Sequence, residues 1–94
     1  MNLIEDAGST RAKTGVRPED VEVASSPDAG WDDARVVVVE PMGSETLVTL
    51  EYRAQRLVAR VPADCQFSPG QPVWVRWPPG RAITFDGATG ARIG

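Results

Sequence analysis

TLVTLEYRAQRLVARVP, from Thr46 to Pro62, decides the fold. Val48, Leu50 and Tyr52 fall on one side of an extended chain, with Thr49 and Glu51 on the other, the period of two expected of a half-buried strand. After a short polar break the pattern resumes, with Leu57, Ala59 and Val61 opposite Arg56, Val58 and Arg60. Two such runs so close together read as a β-hairpin whose tip carries Arg53 and Arg56. Upstream, RVVVVE (Arg35 to Glu40) is a β-branched run with charged ends, read as a strand buried on both faces. Downstream, the hairpin is closed by Pro62 and by SPGQP (Ser68 to Pro72). Proline cannot donate to a ladder, and Pro-Gly favours a type II turn.

The remaining segments extend this pattern. VEV (Val21 to Val23), VWVRW (Val73 to Trp77), AITF (Ala82 to Phe85) and ARI (Ala91 to Ile93) read as further short strands, separated by Pro, Gly and Asp turns. EDAGSTRAKT (Glu5 to Thr14) has no apolar periodicity, so residues 1–14 read as a linker and the ordered part as 15–94. Eight prolines, nine glycines and no amphipathic helical repeat predict an all-β domain of about five to six short strands. A small OB-like barrel is expected, because closure removes exposed edges.

Composition narrows the function. At 94 residues the chain has room for one core. It has no His and one Cys, Cys65, so Ser-His-Asp catalysis, an internal disulfide and a zinc site are all excluded. Lys13-Thr14 is the only Lys-Thr pair, and a P-loop would need glycine where Ala7 and Ala12 stand. No cofactor or metal is expected in this chain. The longest apolar run, Val36 to Val39, is far too short to cross a bilayer, and Glu5 and Asp6 argue against a secretory leader. Up to Asp33 there are three basic and eight acidic residues; from Ala34 onward, seven Arg against five acidic. So weak a positive balance argues against nucleic-acid binding, single-stranded included.

Particular motifs then point to a family. GVRPEDVEV (Gly15 to Val23), VVVVEPMGSETLVTL (Val36 to Leu50), RLVARVP (Arg56 to Pro62), PGQPVWVRW (Pro69 to Trp77) and ITFDGATGARI (Ile83 to Ile93) occur in that order. Together they resemble the C-terminal regulatory, transport-associated OB (TOBE) domain of ABC importer ATP-binding subunits, of the maltose and glycerol-phosphate type. The resemblance implies a non-catalytic barrel behind a nucleotide-binding domain, with ATP and Mg bound in that other domain. It implies homodimeric packing of two such barrels, contact with the nucleotide-binding domain, the importer's membrane subunits and a regulatory protein, and a location at the cytoplasmic face of the membrane. Only EDAGSTRAKT separates MNLI from the "VRPE" box, where relatives carry further strands. The barrel is therefore expected to be incomplete and open to completion by a second copy. A small-ligand module for oxyanions or sugars is the alternative reading.

Each candidate residue has a functional and a simpler reading. Arg17 and Glu19 suit a partner contact, but Arg17-Pro18-Glu19 also reads as a rigid bend. Gly43, Ser44 and Glu45 suit a cleft, but also the tight turn that a strand needs before it. Trp74 with Arg76 forms an aromatic-cation interface anchor if their face is solvated, and core if it is covered. Trp77 reads as core, and Trp31 as a plug at one end of the barrel. Asp86, Thr89 and Gly90 read as the last turn, with side chains capping backbone amides.

Overall fold

A computed structural model describes residues 1–5, 12–27 and 29–86. Eight strands are described: β1 (Asn2–Glu5), β2 (Ala12–Val16), β3 (Glu22–Ala24), β4 (Asp32–Pro41), β5 (Glu45–Tyr52), β6 (Gln55–Pro62), β7 (Pro72–Arg76) and β8 (Ile83–Asp86). Single 3-10 turns at Pro18–Asp20 and Pro79–Arg81 are the only helical pieces among the described residues. The main sheet has the order β3-β7-β4-β5-β6, all antiparallel, and curls into a half-barrel. A smaller sheet, β1-β2-β8, accompanies it. The fold is all-β and OB-like, as expected.

The hairpin forms as its alternation requires. Val48, Leu50 and Leu57 are fully buried, as are Ala59 and, from the neighbouring strands, Val73 and Val75. Burying a Leu or Val side chain contributes about 1.5–3 kcal/mol, so the inward rows of β5, β6 and β7 carry much of the stability. Gln71 N donates to Ser68 O at 3.1 Å and Gly70 has φ +86°, the type II turn that Pro69-Gly70 predicts.

Three expectations are corrected. Residues 1–14 are not a linker throughout: β1 pairs with β2 from Asn2↔Val16 to Glu5↔Lys13, and Ile4 enters the core. The Asn2 amide reaches β6, where Nδ2 donates to Val58 O at 2.8 Å and Oδ1 accepts from Val58 N at 2.7 Å. A side chain thus stands in for a neighbouring strand on an otherwise open edge. Second, β4 is not covered on both faces. A register shift between Val36 and Val38 moves the inward phase from Val36 to Val39, leaving Val38 42% exposed. Four consecutive valines accommodate this bulge because each can serve either face. Third, Trp31 is not part of the core: it is half-buried beneath the guanidinium of the exposed Arg76, whereas Trp77 packs against the core, edge to face with Tyr52 at 5.8 Å. The proposed strand at 91–93 lies outside the described residues.

Candidate functional site

The sheet's outward face is built by the residues that alternate with the core. On β7, buried Val73 and Val75 leave Trp74 and Arg76 pointing outward. The register sets Asp33 beside Trp74, and Arg35 between Pro72 and Glu51. Asp33, Arg35, Glu51, Pro72 and Trp74, with Arg53 and Ala54 of the hairpin tip, line an open groove of about 410 Å³.

Trp74 and Arg76 share this face, but the aromatic contact of Arg76 is with Trp31. The Arg76 guanidinium lies 4.8 Å from the centre of the Trp31 ring, and its Nε donates to Glu22 Oε2 at 2.5 Å. The antiparallel pairing of β3 with β7 sets Glu22 beside Arg76. Trp74 is half-buried and is one of the residues that line the groove.

The groove's arginines are held by the fold. Arg35 Nη1 donates to Gly70 O at 2.7 Å. Arg53 Nη2 lies 3.3 Å from Asp32 Oδ1, while its guanidinium sits 5.1 Å from the Tyr52 ring centre. The Tyr52 hydroxyl donates to the other Asp32 oxygen at 2.8 Å. The tip itself is unusual, since Arg53 (φ +48°) and Ala54 (φ +62°) both occupy the left-handed region that glycine and asparagine favour.

The other candidate residues lie apart from the groove. Arg17 precedes the 3-10 turn and accepts from Asp20 N at 2.9 Å through its carbonyl, and Glu19 is exposed on that turn. Met42, Gly43 (φ +92°) and Ser44 connect β4 to β5, with Met42 N donating to Glu45 O at 2.7 Å. Glu45 pairs with Arg60 at 3.1 Å, at the end of β5 away from the groove. Asp86 is the last residue of β8, opposite Ala12 in the ladder. Thr89 and Gly90 lie outside the described residues. Sequence reading had not singled out Asp33, Arg35, Glu51 or Arg53 as site residues. Their alternation was visible, but their grouping follows from the order β7-β4-β5, which is not sequential.

Such an architecture defines the class as a small OB-like β domain with a mixed aromatic and charged outer face. More specifically, the chain belongs to the TOBE domain family, whose model matches residues 14–85. It is 35% identical over 92% of its length to an uncharacterized ABC transporter ATP-binding protein of Sinorhizobium fredii. It is 30% identical over 84% of its length to the sn-glycerol-3-phosphate import ATP-binding protein of Salmonella typhi. With the multiple sugar-binding transport ATP-binding protein of Streptococcus mutans, identity is 37% over 84% of the chain. The chain spans about 22% of the length of each of these relatives. Among the described residues, no helix is long and apolar enough to cross a membrane.

Proposed function

We propose that this chain is the regulatory, transport-associated domain of the ATP-binding subunit of an ABC importer for sugars or related solutes, and that it acts by protein contact. The observation that carries this reading is the match over residues 14–85, together with relatives named as transport ATP-binding proteins that align over most of the chain. The domain is non-catalytic; ATP and Mg belong to a nucleotide-binding domain of the same subunit. Two copies pack together and keep the attached ATPase domains at high effective concentration, so that the domains separate during each cycle without dissociating. Its partners are then that nucleotide-binding domain, the importer's membrane subunits and a regulatory protein, at the cytoplasmic face of the membrane.

Sedimentation equilibrium of the 94-residue chain from low to high micromolar concentration tests the dimer. A mass that rises to twice the monomer supports it. A monomer throughout overturns self-association as the mechanism.

A further inference from the structure

We propose that the second half of β4, beyond the end of β7, is a docking edge for an extended segment of a partner protein, one that carries an apolar residue next to a basic one. This rests on the contact role proposed above and gives that role a place and a partner chemistry.

The ladder determines which backbone groups are free. Met42 N donates to Glu45 O, which makes these two a bonded pair, and bonded and non-bonded pairs alternate along an antiparallel ladder. Glu40↔Leu47 and Val38↔Thr49 are therefore bonded, whereas Pro41↔Thr46 and Val39↔Val48 are not. The Val39 N–H and C=O and the Pro41 C=O consequently point away from β5. On that side β7 accompanies β4 only as far as Arg35↔Pro72, and the last bonds across are those of Val36 with Gly70 and Gln71. Among the described residues, no hydrogen bond engages the Val39 backbone groups on that side. At the far edge of the same sheet the Asn2 amide occupies the corresponding groups of Val58. The β4 edge has no such guard among the described residues, and unpaired ladder groups are a template for another strand.

The side chains around this edge select the occupant. Among the described residues the exposed large apolar side chains are Met1 and Leu3 near the N-terminus, and Val38 (42%) and Met42 (57%), within and just after this half of β4. On the inward side an open cavity of about 380 Å³ is lined by Val39, Pro41, Thr46, Cys65 and Phe67, among others. Val39, Cys65 and Phe67 pack against the core, so this wall is fixed. An added strand alternates its side chains: the residue opposite Val39 faces the cavity, and its two neighbours face Val38 and Glu40. The first of these positions suits an aliphatic side chain. Glu40 and Asp64, next in sequence to lining residues, are exposed and form no ion pair among the described residues, while Arg60 is engaged by Glu45. A Lys or Arg opposite Glu40 supplies the missing charge. A second copy of this chain fits less well, because pairing Val39 with its counterpart sets the two Glu40 carboxylates diagonally across the new ladder, within reach of each other as like charges.

The test uses the acetylated and amidated peptide Ser-Thr-Lys-Ile-Val-Thr-Lys, in which, antiparallel to β4, Ile aligns with Val39, the first Lys with Glu40 and Val with Val38. It is titrated into the intact chain up to about 5 mM, because a strand of few bonds implies weak binding. Amide NMR and hydrogen exchange are the readouts. Saturable shifts at Val38, Val39 and Phe67 are expected, with slower exchange of the Val39 amide. Replacing the peptide's Ile by Pro removes the N–H that meets Val39 O and should abolish binding. Replacing its first Lys by Glu should weaken binding about two- to fivefold in low salt. In the Glu40→Lys variant, an exposed change, that order should reverse. No saturation, equal binding of the Pro peptide, or shifts confined to β6 or β8 overturns the proposal. A charge preference unchanged by Glu40→Lys overturns it too. Val39 exchange that slows with rising protein concentration and no peptide assigns the edge to a second copy, and equally overturns it. A chain that dimerises through another surface yet ignores the peptide refutes this edge alone; one that binds the peptide as a monomer refutes only the mechanism of self-association.

Discussion

The β5–β6 hairpin and the β1–β2 pair are both antiparallel two-stranded units, but they are held in place by different means. In the hairpin, Val48, Leu50, Leu57 and Ala59 are all fully buried, so its position follows from its own alternation. In β1–β2, Leu3 is 52% exposed, and attachment to the barrel rests on Ile4, Val16 and the Asn2 amide. The hairpin is placed by a row of apolar side chains, and β1 by two hydrogen bonds and one isoleucine. Polar attachment of this kind is specific in geometry and modest in energy.

This contrast predicts the largest effect at the hairpin. Leu57→Ala should lower unfolding free energy by about 2–5 kcal/mol, measured by urea denaturation, since it empties a fully buried site with neighbours fixed on both strands. Small domains are stable by only about 5–15 kcal/mol, so the loss would be a large share. A loss below about 1 kcal/mol would mean that the core relaxes around the gap, and the hairpin would no longer be the rigid unit.

A smaller loss is expected on the polar side. Asn2→Ala removes both partners of the Val58 peptide groups and should cost about 1–3 kcal/mol. The sharper readout is hydrogen exchange. The Val58 amide should lose protection while the Leu57 and Ala59 amides keep theirs. Unchanged protection at Val58 would show that β1 does not guard this edge.

These two regions also divide what sequence could reveal. Alternation over 46–61 placed the inward row residue by residue, and Pro69-Gly70 and Gly43-Ser44 marked their turns, because each signal is local. Asn2 gave no such signal, since its partner is 56 positions away. The four valines of β4 concealed a bulge, as identical side chains carry no phase. Trp74 was visible as a candidate from its place between two inward valines. The charged residues around it were not, because β7 becomes a neighbour of the β4–β5 pair only through a crossover. The same crossover directs Arg76 to Trp31 rather than to Trp74.

The hairpin's one local weakness is its tip, where a substitution should stabilise. Ala54 holds φ +62°, a conformation that costs a non-glycine residue about 1–2 kcal/mol. Glycine adds unfolded-state entropy that offsets part of this. Ala54→Gly should therefore raise stability by about 0.5–1 kcal/mol, seen as a higher urea midpoint at constant slope. A lower midpoint would show that the alanine methyl makes contacts worth more than the strain.

The smallest effect should come from the far end of the same hairpin, where Arg60 Nε and Glu45 Oε2 lie 3.1 Å apart. Both side chains are more than a third exposed, so water and salt screen the pair and ordering two long side chains opposes it. Arg60→Ala should cost about 0.2–1 kcal/mol in low salt. Raising ionic strength to about 1 M, where the screening length falls to ~3 Å, should shrink that difference between wild type and variant. A cost well above this range, or one indifferent to salt, would assign Arg60 a packing role through its aliphatic stem. The hairpin's outward row would then support it as its inward row does.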